Sequence, residues 1–177
     1  GFTNGSPDII VGSDGVPHVL HWRAVGNYTG HYWGPDGDDG TLAEELPMPV
    51  ATGAIALAPD GTPNILVDAG TSSPPSLWHR TSGAWSLVSD PPEVGNILTA
   101  SAMVMDSGGC VDAALGGQSI LGEGTSYGRH TSVGWELQAV GETGSSRALS
   151  LGPDGIAHLA WWGTKGASWV LHWKRIG

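Results

Sequence analysis

One sentence is written four times along this chain. "DIIVGSDGVPHVLHW" begins at residue 8, "AIALAPDGTPNILVD" at 54, "ASAMVMDSGGCVDAA" at 100 and "ALSLGPDGIAHLAWW" at 148. The turn aspartates Asp14, Asp60, Asp106 and Asp154 stand 46, 46 and 48 residues apart. A fixed period of this length restricts the chain to repeat architectures, because each unit is one supersecondary element that buries its apolar face only against its neighbours. Within a unit, an alternating apolar run enters an Asp-Gly or Asp-Ser-Gly turn and a second run leaves it, which is the pattern of a β-hairpin. Glycine tolerates the positive φ of such turns, and the aspartate beside it serves the turn rather than a metal ion.

A Gly/Ser-rich loop follows each hairpin and leads to a third run: "YTGHYWG", "SLWHRTSG", "SYGRHTSVG" and "WVLHWKRIG". The middle units add a fourth run at once, "AWSLVSD" and "GWELQAVG", in which Trp85 and Trp135 stand just after a glycine-containing turn. The first unit has "TLAEELPMPV", whose Pro47 and Pro49 suit only an edge strand. Four short strands per unit of about 46 residues make the blade of a β-propeller. The expectation is therefore an all-β chain forming one β-propeller domain over residues 1–177. Its blades cover roughly 8–53, 54–99, 100–147 and 148–177, closed as a four-bladed ring or belonging to a larger propeller. The fourth unit lacks its last strand, and residues 1–7 lie in the right cyclic phase to supply it.

Composition agrees and removes several function classes. Twenty-nine glycines, twelve prolines and 14% charged residues exclude a helical protein. A net charge of −10 with only seven Lys and Arg leaves no basic surface for nucleic acid or for an anionic membrane. No 18-residue apolar stretch is present, so membrane insertion is not expected. The single cysteine, Cys110, excludes an intramolecular disulfide. By the turn aspartates it matches His18, Asn64 and His158, which reads as a small buried thiol.

The repeat resembles the "aLavDpdGtpHvaY…LtYar…gGsW" unit of sialidase-like (BNR-like) propeller proteins of bacteria, over nearly the whole chain. The resemblance implies the propeller architecture. It does not carry the activity, because the Asp-box "S-x-D-x-G-x-T-W" of true sialidases is missing. The superfamily's enzymes grip a carboxylate with an arginine triad. Here Arg80, Arg129 and Arg175 recur in the third runs at similar phase, as repeat-equivalent residues do.

Function is then sought in the tryptophans, nine against one phenylalanine. Indole faces stack on the C–H faces of sugars while polar neighbours fix the hydroxyls. The candidates least explained by the repeat are Trp33, Trp78, Trp162 and Trp169, with His31 and Asp68 near them. "HVLH" places His18 and His21 on opposite faces of a strand, so they do not chelate one ion together. The acidic stretch holding Asp36, Asp38 and Asp39 is the one loop oxygen-rich enough for calcium, but EF-hand spacing is absent and a solvated loop is the expectation, so no cofactor is expected. The expected function is a non-catalytic, lectin-like carbohydrate-binding propeller, secreted or at the cell surface. The alternative is a structural or protein-interaction propeller within a larger assembly, with another protein chain or a second copy as partner. A sialidase-like hydrolase or lyase is the minority reading.

Overall fold

The computed structural model describes residues 3–4, 7–25, 27–35, 44–70, 74–89, 98–119, 122–142, 144–165 and 168–177. The chain is all-β, four antiparallel sheets arranged as a four-bladed β-propeller. The first sheet holds β1 (Thr3–Asn4), β2 (Asp8–Val11), β3 (Pro17–Val25), β4 (Asn27–Trp33) and β5 (Glu44–Pro49). The second holds β6 (Thr52–Leu57), β7 (Pro63–Asp68), β8 (Ser76–Thr81) and β9 (Ala84–Ser89). The third holds β10 (Leu98–Met105), β11 (Val111–Ser119), β12 (Gly122–Thr131) and β13 (Gly134–Gly141). The fourth holds β14 (Gly144–Leu151), β15 (Ala157–Lys165) and β16 (Ser168–Ile176).

The first two strands of every blade are joined by the same turn. Gly12, Ala58, Asp106 and Gly152 each donate an N–H to the carbonyl four residues on and accept one from the glycine three residues on. Those glycines, Gly15, Gly61, Gly109 and Gly155, have φ of +81°, +86°, +81° and +74°, which side chains rarely adopt. In three turns the aspartate accepts the N–H two residues on: Asp14 from Val16 at 3.0 Å, Asp60 from Thr62 at 2.9 Å, Asp154 from Ile156 at 3.2 Å. The third turn is built differently. Asp106 occupies the first position, that of Gly12, and Gly108 stands where the other aspartates do. The equivalence of Cys110 moves accordingly: it matches Val16, Thr62 and Ile156, and the residue matching His18, Asn64 and His158 is Asp112.

Side chains alternate across each sheet, so one face of a blade looks to the following blade and the other to the preceding one. These are called the leading and trailing faces. Leu20, Trp22 and Tyr32 on the leading face of blade one pack against Ile55, Ile65, Val67 and Trp85 on the trailing face of blade two. Ala54, Ala56, Leu66 and Leu77 of blade two meet Met103, Val111, Ala113 and Leu115 of blade three. Ala114 and Tyr127 of blade three meet Leu159, Trp161 and Ile176 of blade four. Polar clamps run beside the apolar contacts: Arg80 Nε donates to Glu44 at 2.9 Å, and Trp135 Nε1 donates to Ser89 at 2.9 Å.

The chain ends behave differently from the middle. Thr3 and Asn4 pair with Ala24 and Arg23 of β3. This part of the 1–7 segment therefore prolongs the inner edge of blade one, rather than adding an outer strand to blade four. The fourth sheet has three strands among the described residues, and β16 is its edge. Strand pairing also refines the arginine register. Arg129 and Arg175 lie opposite Asp112 and His158, whereas the residue opposite Asn64 is His79, so Arg80 is one position out of phase.

Candidate functional site

A concavity of about 790 Å³ opens between blades two and three at the end carrying the β6–β7 and β10–β11 turns. Its position follows from the repeat. The leading face of blade two brings Asn64 and His79 to the groove and the trailing face of blade three brings His130. Asp60 and Ser107 stand at its rim, and Leu77, Met105 and Val111 supply the apolar lining. Asn64 is fixed by donating its amide to the Thr62 carbonyl at 3.0 Å. Hydrogen bonds from the Thr62 backbone and side chain hold the Asp60 carboxyl below its usual value, so it is an ionised acceptor at neutral pH. Burial pushes the His130 imidazole down, which keeps it neutral. The groove thus offers a carboxylate, an amide, hydroxyls and imidazoles above an aliphatic surface.

On the opposite, leading face, blade three holds an ion-pair network centred on a buried carboxylate. Asp112 is fully buried. It accepts hydrogen bonds from the Tyr127 hydroxyl and from Arg129 Nη1, the latter at 3.0 and 3.2 Å. Arg129 Nη2 also bonds Asp106, whose other oxygen accepts the N–H groups of Gly108 and Cys110 at 2.8 and 2.9 Å. Burial raises the Asp112 carboxyl against the pull of Tyr127 and Arg129. Burial and the bond to Asp112 push Tyr127 up to about 12. At Asp106 burial acts upward, but the Cys110 and Gly108 N–H donors and Arg129 outweigh it and hold the carboxyl low.

A second concavity, about 340 Å³, lies where the innermost strands converge, with Asp8, Ile55, Met103 and Arg147 among its walls. Asp8 accepts the Ile55 N–H at 2.9 Å and links the first two inner strands. Arg147 donates to the Gly144 carbonyl, and a Cβ on Gly116 would collide with its guanidinium. Burial lowers the Arg147 pKa.

The residues singled out from sequence do not form one site. Trp33 and His31 lie together on the trailing face of blade one, where the His31 and His21 rings are 6.3 Å apart. Trp78 packs into the interface of blades one and two and donates to Ser76 at 2.8 Å. Asp68 is buried and accepts the Gly70 N–H at 2.8 Å, and burial raises its carboxyl pKa. Trp162 and Trp169 stand exposed as diagonal neighbours on the leading face of blade four. Asp36, Asp38 and Asp39 lie outside the described residues. Among the described residues, no group of three or more His, Cys, Asp or Glu is placed to hold a metal ion. The groove residues Asn64, His79 and His130 were not among the candidates because their rows vary between repeats; the signal for Asn64 is the polar residue second in each second strand, and His79 and His130 stand in the third strands opposite Asn64 and Val111.

No protein-family model and no curated protein matches the sequence. Solved structures match the fold. A protein of unknown function from Dyadobacter fermentans is 14% identical with a TM-score of 0.69, over 98% of this chain and 60% of that one. An α-L-arabinanase from Penicillium chrysogenum, complexed with arabinobiose, is 11% identical with a TM-score of 0.64, over 97% of this chain and 62% of that one. A fucose lectin from Kordia zhangzhouensis, in complex with methyl-fucoside, is 14% identical with a TM-score of 0.52, over 77% of this chain and all of that one. The chain thus spans less than two thirds of the length of the Dyadobacter and Penicillium proteins. At these identities the likeness is one of fold.

Proposed function

We propose that this propeller is a non-catalytic saccharide-binding module, and that the groove between blades two and three receives the sugar. The observation that carries the reading is the groove's lining: Asp60, Asn64, His79, Ser107 and His130 around Leu77 and Met105. Sugar hydroxyls need both donors and acceptors at close spacing, and sugar C–H faces need an apolar floor. The fold likeness to a lectin crystallised with methyl-fucoside and an arabinanase crystallised with arabinobiose supports this ligand class. Hydrolysis is disfavoured by the groove itself. Glycoside hydrolysis ordinarily uses two carboxyl groups, one of them raised in pKa to act as the acid. Asp60 is the one carboxylate in the described lining, and its pKa is lowered. A secreted or surface location belongs to the same proposal.

Calorimetric titration with a panel of neutral monosaccharides and disaccharides tests the reading. Binding at millimolar ligand or tighter, lost in both Asn64→Ala and His130→Ala with the fold retained by circular dichroism, is the expected result. No heat from any sugar at that concentration overturns it. Release of nitrophenol from nitrophenyl glycosides, abolished in Asp60→Asn, would replace binding by catalysis.

A further inference from the structure

We infer that the groove between blades two and three selects a neutral sugar carrying an acetamido group, gripped between Asn64 and His130. The inference deepens the saccharide-binding reading and rests on it. One strand position sets this groove apart. Opposite the fourth residue of the second strand stand Tyr32 in blade one, Tyr127 in blade three and Trp173 in blade four. In blade two the same place holds Leu77. Each aromatic side chain engages the polar residue that begins its row. Tyr32 bonds His18 at 2.7 Å, Tyr127 bonds Asp112, and the Trp173 ring stacks on His158. Leucine has no hydroxyl or ring with which to do so. Where three blades carry an aromatic, blade two leaves Asn64 lining a concavity of about 790 Å³, with Leu77 in its wall.

Asn64 is 6% exposed, yet its amide makes one hydrogen bond among the described residues, to the Thr62 carbonyl. The Thr62 N–H in turn holds Asp60 at 2.9 Å, so one backbone unit fixes both polar groups. A side-chain amide has two donors and a carbonyl acceptor, and a buried one left part-used calls for a partner. Across the groove, neither ring nitrogen of His130 has a hydrogen-bond partner among the described residues. Held neutral by burial, His130 offers one N–H and one acceptor. In a trans acetamido group the N–H and C=O point to opposite sides. Its recognition therefore needs an acceptor on one wall and a donor on the other, which the Asn64 carbonyl and the His130 N–H supply. The acetyl methyl then meets Leu77, Met105 and Val111. The described lining holds no Trp, Tyr or Phe, so it suits a methyl group better than the flat face of a sugar ring. Asp60 and a net charge of −10 repel an anionic sugar.

The test is calorimetric titration of the intact chain with N-acetylglucosamine, N-acetylgalactosamine, glucose, galactose, glucosamine and glucuronate. At least one acetamido sugar should bind about ten-fold or more tighter than its parent hexose, the effect of two neutral hydrogen bonds. Glucuronate should bind no better than glucose. Asn64→Leu should erase the ten-fold ratio while keeping the wild-type circular dichroism. Leu77→Tyr, which gives blade two the side chain of blades one and three, should abolish binding of every sugar. If either variant unfolds, the ratio measured on the wild type decides. Parent hexoses that bind as tightly as their acetamido forms overturn this inference and leave the saccharide reading standing. A preference for glucosamine over N-acetylglucosamine assigns the site to an ammonium and also overturns it, as does undiminished binding in a folded Leu77→Tyr. No heat from any of the sugars overturns both readings.

Discussion

Asp112 shows how a repeat position is adapted inside one blade. The same row holds His18, whose Nδ1 lies 2.7 Å from the Tyr32 hydroxyl, then Asn64, and finally His158, whose ring stacks on Trp173 at 5.8 Å. Asp112→Ala would leave Arg129 and Tyr127 without their shared partner. Breaking a buried pair costs about 3–5 kcal/mol, and the partial exposure of Arg129 places this case near 3 kcal/mol. Asp112→Asn keeps an acceptor for Tyr127, and Arg129 keeps Asp106, so the loss should be about 1 kcal/mol. Urea midpoints separate the two. His130 gives a pH effect of definite sign. Burial sets its folded pKa below the ordinary 6.5. As pH falls through 6.5 toward that lower value, the unfolded chain takes up the proton first and stability declines. Asp68 and Asp112, raised by burial, act in the opposite sense at more acid pH. The readout is therefore a difference: His130→Gln should flatten the decline between about pH 7 and pH 5 relative to wild type.

At the scale of the element, the hairpin turns were legible and their register was legible only in part. Asp-Gly predicts the hairpins at Asp14, Asp60 and Asp154 because side-chain and backbone preferences coincide there. In "DSGG" they separate. The conformational demand falls on Gly109, while Asp106 sits three residues earlier and caps the turn from its first position. Aligning on aspartate thus displaced Cys110 and concealed Asp112; aligning on the positive-φ glycine recovers both. Gly61→Ala tests that glycine directly. An added Cβ meets nothing within 4 Å, so the loss reports backbone strain alone. It should be about 1 kcal/mol by thermal or urea unfolding. The tryptophan candidates failed to converge for a different reason. Alternation reveals which residues share a face, but not whether that face has a neighbour. Trp78 found one within the chain; Trp33, Trp162 and Trp169 lie on the two end faces.

Among the described residues, the apolar clusters join blade one to two, two to three and three to four, so stability is distributed there as in a one-dimensional array. Amide exchange should follow this gradient. β7 and β11, each flanked by paired strands in the middle blades, should be protected longest, and the edge strand β16 should exchange first. Hydrogen-exchange mass spectrometry checks the order; uniform protection in β16 and β11 would contradict it. The repeat, the blades and the propeller were all readable in the sequence. The inter-blade groove was not, because it arises from the angle between sheets rather than from any one segment. The row of unlike polar residues at His18, Asn64, Asp112 and His158 bears on how such a chain assembles. Four nearly interchangeable hairpins emerging from one polypeptide can pair with the wrong third strand. A misplaced Asp112 strand in blade two would bury its carboxylate against Leu77, which stands where blade three has Tyr127. The ion pair would be lost and the charge stranded. In blades one, three and four this row meets the blade's own third strand, His18 with Tyr32, Asp112 with Tyr127 and Arg129, and His158 with Trp173, a chemistry that distinguishes those repeats during folding where the period alone does not.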